Sequence, residues 1–117
     1  MLVFDGSGSM ATLAAEAPFA RRIDDARVAL QRSLPRFAPY RNVGLVVYGP
    51  GPLGPCDNVT VQLQPQPDAD LAILGAVSGL EPAGDTPLAQ AVDAAVGTLA
   101  PLDLKRAGCV RPGVRTC

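Results

Sequence analysis

At 117 residues, 48% hydrophobic and 18% charged, the chain has the size and composition of one globular domain rather than a disordered segment. A net charge of −1 with no cluster of Lys and Arg speaks against a nucleic-acid partner, and no apolar run reaches the roughly 18 residues of a membrane span. The absence of histidine removes imidazole-based zinc sites, serine–histidine triads and histidine acid–base chemistry.

The chain opens on Met1-Leu2-Val3-Phe4-Asp5, where four apolar residues run straight into an aspartate and suit a strand buried on both faces of a parallel sheet. Asp5 then sits at the carboxyl end of that strand, where open α/β sheets bind their ligands. Ser7 and Ser9 follow, with Gly6 and Gly8 between them to let the backbone turn. One carboxylate and two hydroxyls converging on a point form an all-oxygen site suited to a hard cation. The first strand has only four residues, and no basic and apolar leader precedes it, so no signal peptide is read here.

Residues 11 to about 17 read as a linker or short turn of helix. From Pro18 a helix of about fifteen residues is expected, with Phe19, Ile23, Ala26, Leu30 and Leu34 on one face. Arg21, Arg22, Asp24, Asp25 and Arg27 fall on the other face and read as solvated, and Pro35 ends the pattern. Residues 42–49 form the best strand of the chain, closed by Gly49-Pro50-Gly51-Pro52. That Gly-rich loop lacks the Lys-Ser/Thr of a phosphate-binding loop. A shorter strand is expected over residues 59–63, with Val59, Val61 and Leu63 facing the core. Pro65 to Pro67 breaks the chain. Asp68 caps a helix carrying Leu71, Ile73, Leu74 and Val77, which Gly79 ends. A last helix starts at Pro87, with Leu88, Ala91, Val92, Ala95, Val96 and Leu99 on its apolar face and Thr86 in the N-cap place.

Asp5-x-Ser7-x-Ser9 after an apolar strand, with Gly84-Asp85-Thr86-Pro87-Leu88 some eighty residues later, resembles the metal-ion-dependent adhesion site of bacterial von Willebrand factor A (VWA) domains. The resemblance runs over roughly residues 1 to 100. It implies a Rossmann-like three-layer α/β/α fold with a mostly parallel sheet and an antiparallel edge strand, residues 59–63. It further implies a divalent cation, Mg²⁺ or else Mn²⁺ or Ca²⁺, held by Asp5, Ser7, Ser9 and Thr86. Ser7 and Ser9 would coordinate directly, Asp5 through a water or a hydroxyl, and Thr86 directly or through water. An acidic side chain of a partner protein would take the open position, favoured by the helix N-terminus beside it. The family also implies an extracytoplasmic or cell-surface place.

The chain departs from the family after residue 100. A third central strand ending in Asp-Gly is expected there, and residues 101–117 read instead as a divergent tail, with Pro112-Gly113 at the Asp-Gly position. The expected unit is thus a single VWA domain over residues 1–117, incomplete at its C-terminus. Three cysteines, Cys56, Cys109 and Cys117, are too few and too far apart for a structural zinc site. They leave open three thiols or one disulfide with a free thiol, and the resemblance favours Cys56–Cys117. The expected function is cation-dependent protein binding, not catalysis. Two rivals are a VWA fragment without activity of its own and a phosphatase-like hydrolase with Asp5 as nucleophile. The second lacks the further acid that such enzymes carry two residues on, since position 7 is serine.

Overall fold

A computed structural model describes residues 1–14, 17–50 and 58–102. Three strands form the main sheet: β1 (Leu2–Asp5), β4 (Val43–Tyr48) and β5 (Val59–Gln66). Their order is β1-β4-β5. β1 runs parallel to β4, with Leu2 opposite Leu45 and Asp5 opposite Tyr48. β5 runs antiparallel to β4. A separate hairpin joins β2 (Leu13–Ala14) to β3 (Ala17–Arg21). The helices among the described residues are α1 (Arg22–Phe37), α2 (Asp70–Ser78) and α3 (Leu88–Leu99).

All six residues of β4 are buried, as a β-branched strand with apolar residues on both faces requires. One face carries Phe4, Val43, Leu45 and Val47, which pack against Ile23, Leu30 and Leu34 of α1 and Ile73 and Val77 of α2. The opposite face carries Val3, Val46 and Tyr48 against Ala91 and Ala95 of α3. The sheet is therefore covered by helices on both sides, in three layers.

Several expected boundaries move, each for a local reason. Helix α1 begins at Arg22 rather than Pro18, because residues 17–21 are drawn into the β2–β3 hairpin, where Arg21 stands opposite Leu13. Arg21 becomes the N-cap, and Asp24 returns a side-chain bond to its amide. Pro35 does not end α1, which continues to Phe37. Its ring removes one helical N–H on the exposed side, while Phe37 and the buried Ala38 hold the last turn to the core. β5 runs on to Gln66 and contains Pro65, which an outer strand tolerates.

Pairing shifts along β5: Val61 faces Val46, but Leu63 faces Leu45. An extra residue at this bulge reverses the alternation. Val59 and Val61 consequently join the α3 side, while Leu63 packs on the α1–α2 side. The three residues do not share one face as the simple alternation predicts.

Asp68 does not cap α2. It adopts a left-handed φ of 51°, its N–H donates to the Ala38 carbonyl at 3.2 Å, and Ala69 takes the N-cap place. Gly79 ends α2 as expected. Leu71 lies two residues from the buried Ile73, on the far side of the helix, and is 78% exposed. Arg27 is more than a solvated charge: its Nε donates to the Val77 carbonyl at 2.9 Å and its Nη2 to the Leu80 carbonyl at 2.6 Å. It thereby adds side-chain donors to one carbonyl in the last turn of α2 and one just beyond it.

Residues 51–55 of the loop expected over Gly49 to Pro55, all three cysteines and most of the 101–117 tail lie outside the described residues, as does the Cys56–Cys117 pairing.

Candidate metal site

β1 ends at Asp5, and the chain turns at once through a 3₁₀ turn at Gly8–Ala11. The Ser7 amide donates to Asp5 Oδ1 at 2.8 Å, which folds the loop back over the carboxylate. Ser7 Oγ then lies 3.2 Å from Ser9 Oγ. Ser7 is only 1% exposed, the one buried polar residue among the described residues, whereas Ser9 faces solvent. Asp5, Ser7 and Ser9 are thus brought together as the sequence predicts.

Two backbone bonds tie this turn to the loop ahead of α3. The Gly8 N–H donates to the Gly84 carbonyl at 3.0 Å, and the Ala83 N–H donates to the Gly6 carbonyl at 3.0 Å. Thr86, two residues past Gly84, is exposed in the same loop. It is not the N-cap of α3, a place taken by Pro87. The buried Pro87 ring fixes the helix start, and the Leu88 N–H donates to the Thr86 carbonyl at 2.8 Å. Asp85 is exposed, as expected for a loop carboxylate.

The glycines that require a left-handed φ are not Gly6 and Gly8, although a Cβ on Gly6 would meet the Pro50 ring. They are Gly49, with φ 105°, and Gly84, with φ 78°. A Cβ on Gly49 would run into the Ser7 backbone, and one on Gly84 into the Gly49 carbonyl. Three loops are thereby stacked at the carboxyl ends of β1 and β4. Spacing alone did not reveal this stacking, because the three loops are distant in sequence.

Tyr48 is the other participant that the sequence reading took only as a strand residue. It is the register partner of Asp5 and is 6% exposed. Burial first, then the neighbouring Asp5 carboxylate, push the phenol up to about 12. The signal was legible only in hindsight, as a tyrosine ending a strand of aliphatic residues.

The donor set fits a hard cation. Neighbouring ligands of an octahedral Mg²⁺ with bonds of 2.0–2.1 Å stand about 2.9 Å apart. The Ser7 and Ser9 oxygens, at 3.2 Å, are close to that spacing. Among the described residues no group of three or more His, Cys, Asp or Glu side chains converges. One carboxylate and neutral hydroxyls leave room for waters, which favours magnesium-like ions over metals that prefer thiolate or imidazole.

No family model matches the sequence, and no curated protein matches it. The fold is similar to that in the crystal structure of an uncharacterized membrane spanning protein from Vibrio fischeri, with a TM-score of 0.67 and 19% identity. The likeness covers 95% of this chain and 58% of that one, so this chain spans a little over half of that protein's length. At this identity it speaks for the α/β fold alone. No helix among the described residues is long and apolar enough to cross a membrane.

Proposed function

We propose that this chain is the core of a VWA-type domain and works as a divalent-cation-dependent protein-binding module. Asp5, Ser7, Ser9 and Thr86 hold Mg²⁺, or Mn²⁺ or Ca²⁺ in its place. When bound, the cation supplies an open coordination position for a carboxylate, which an acidic side chain of a partner protein fills. The chain's own residues shape that site: the Ser7 amide orients Asp5, and the Gly8–Gly84 bond carries the Thr86 loop to the Asp-x-Ser-x-Ser turn. The observation that carries the reading is the buried Ser7 hydroxyl, set 3.2 Å from Ser9 Oγ at the end of β1. The strand order β1-β4-β5, with its antiparallel outer strand, agrees with the same family.

The module belongs outside the cytoplasm or on the cell surface, and the pairing of Cys56 with Cys117 goes with that place. A disulfide closing so long a loop adds roughly 3–5 kcal/mol in the chain-entropy model. Non-reducing peptide mass spectrometry checks it, and free thiols at both positions would rule it out.

Calorimetric titration with Mn²⁺ tests the cation site. Saturable binding is expected from the native chain, lost in Asp5→Ala and weakened at least tenfold in Ser7→Ala. A folded chain that takes up no Mn²⁺, or an Asp5→Ala variant that binds as well as the native one, would overturn the reading.

A further inference from the structure

We infer that Arg27 is a positioning residue of the proposed cation site: its guanidinium fixes the chain as it leaves α2 and so sets the loop that delivers Thr86. This rests on the cation reading above and adds to it a residue of α1, distant in sequence from Thr86.

Residues 79–87 join α2 to α3 without regular structure, so bonds to other segments decide where they lie. Two such anchors are backbone bonds to the Asp-x-Ser-x-Ser turn, from Ala83 to Gly6 and from Gly8 to Gly84. Arg27 supplies another at the start of the loop. Its Nη2 donates to the Leu80 carbonyl at 2.6 Å, and its Nε donates to the Val77 carbonyl at 2.9 Å. The planar guanidinium holds these donors in a rigid fork. It therefore fixes the last turn of α2 relative to the first residues of the loop. The remaining nitrogen, Nη1, donates to Asp24 Oδ1 at 3.0 Å, which steadies the fork from one turn back on α1. The Arg27 side chain is only 17% exposed.

Thr86 lies six residues past Leu80 and two past Gly84. Without the bond at Leu80 the loop enters freely and only its middle is tied to the turn. Thr86 is then less well ordered beside Ser7 and Ser9, and the cation must supply the cost of ordering it. Residues that orient a ligand without touching the metal are worth roughly 10- to 100-fold in affinity. If Arg27 served only to cap α2, its loss would lower stability and leave the cation affinity of the folded chain unchanged.

Hydrogen exchange of the metal-free chain reads the anchor. Arg27→Gln should lose protection at the Ala83 and Gly8 amides beyond any loss in β4, and an equal loss in all three places overturns the inference. Calorimetry with Mn²⁺ reads the consequence. Arg27→Gln should weaken binding roughly 10-fold, and should cost nothing further in a Thr86→Val chain, because it acts through Thr86. Leu34→Val, at a buried position about two turns further along α1, should lose stability without that loss of affinity. If the native chain binds Mn²⁺ and Arg27→Gln binds it equally well, Arg27 has no positioning role although the cation site stands. The same holds if Arg27→Gln costs as much in the Thr86→Val chain as in the native one. If the native chain binds no Mn²⁺, the cation reading falls and this inference with it. Should Arg27→Gln fail to melt cooperatively, Arg27→Lys decides: it keeps the charge but lacks the fork, and native affinity in that variant overturns the inference.

Discussion

The carbonyl of Gly49 occupies the space that a side chain on Gly84 would need. The two residues are 35 positions apart, yet their backbones touch, and both have positive φ. This contact brings the loop that carries Thr86 against the end of β4, while the Gly8–Gly84 hydrogen bond brings it against the end of β1.

Gly84→Ala should therefore destabilise the chain. The left-handed conformation alone costs about 1–2 kcal/mol for a residue with a Cβ, and the collision with Gly49 adds to it. For a domain of about 100 residues, each kcal/mol lowers the melting temperature by roughly 4–8 °C. Thermal melting of Gly84→Ala in the metal-free chain checks this, with Gly79→Ala as the control, since nothing lies within 4 Å of a Cβ there. Equal losses in both variants would mean that the loops are not packed as described.

Tyr48 gives the chain an alkaline weakness. Its phenol is raised from 10.0 to about 12 in the folded state, by burial foremost and by Asp5 next. A raised value means that the folded form holds the proton more tightly. The resulting stabilisation is complete below about pH 10 and is lost as pH climbs through 12. Melting temperature should fall across that window in the native chain and fall less in Tyr48→Phe. Phenolate absorbance of the Tyr40→Phe chain provides the direct reading. Ionisation near pH 10 while the fold is intact would contradict the buried placement.

Asp24 acts at the other end of the pH scale. The Arg21 backbone N–H, followed by the charge and side chains of Arg21 and Arg27, outweighs desolvation and holds its carboxyl below 3.8. A depressed value stabilises the fold above the unfolded-state pKa and ceases to do so as pH falls through the folded one. Asp24→Asn should melt lower than the native chain near neutral pH, and the gap should close under acid conditions. A gap that persists unchanged in acid would mean that the side chain works by shape rather than by charge. Because Arg27 also binds the Val77 and Leu80 carbonyls, it stays in place in this variant.

Much of the frame is written locally. The β-branched run ending in Tyr48 yields β4 within one residue at either end, because a strand buried on both faces leaves an unbroken apolar signature. The three- and four-residue spacing of Leu88, Ala91 and Ala95 yields α3 for the same kind of reason. Asp5, Ser7 and Ser9 lie within five residues of continuous chain, so bringing them together needs only a tight turn. Pro35 and Pro65 mislead a local reading, since the cost of each is absorbed by packing or by an outer-strand position that the sequence does not announce.

The sequence by itself thus determined the alternation of strands and helices and the oxygen donors at the end of the first strand, because both depend on neighbours a few residues apart. Tertiary structure alone decided the rest. It diverted residues 17–21 into a hairpin, turned Leu63 to the opposite face from Val61, and set Tyr48 beside Asp5. It also stacked Gly84 on Gly49. Each of these is a contact between segments far apart in the chain, where hydrogen bonding and the exclusion of one atom by another outweigh the propensity of any single stretch.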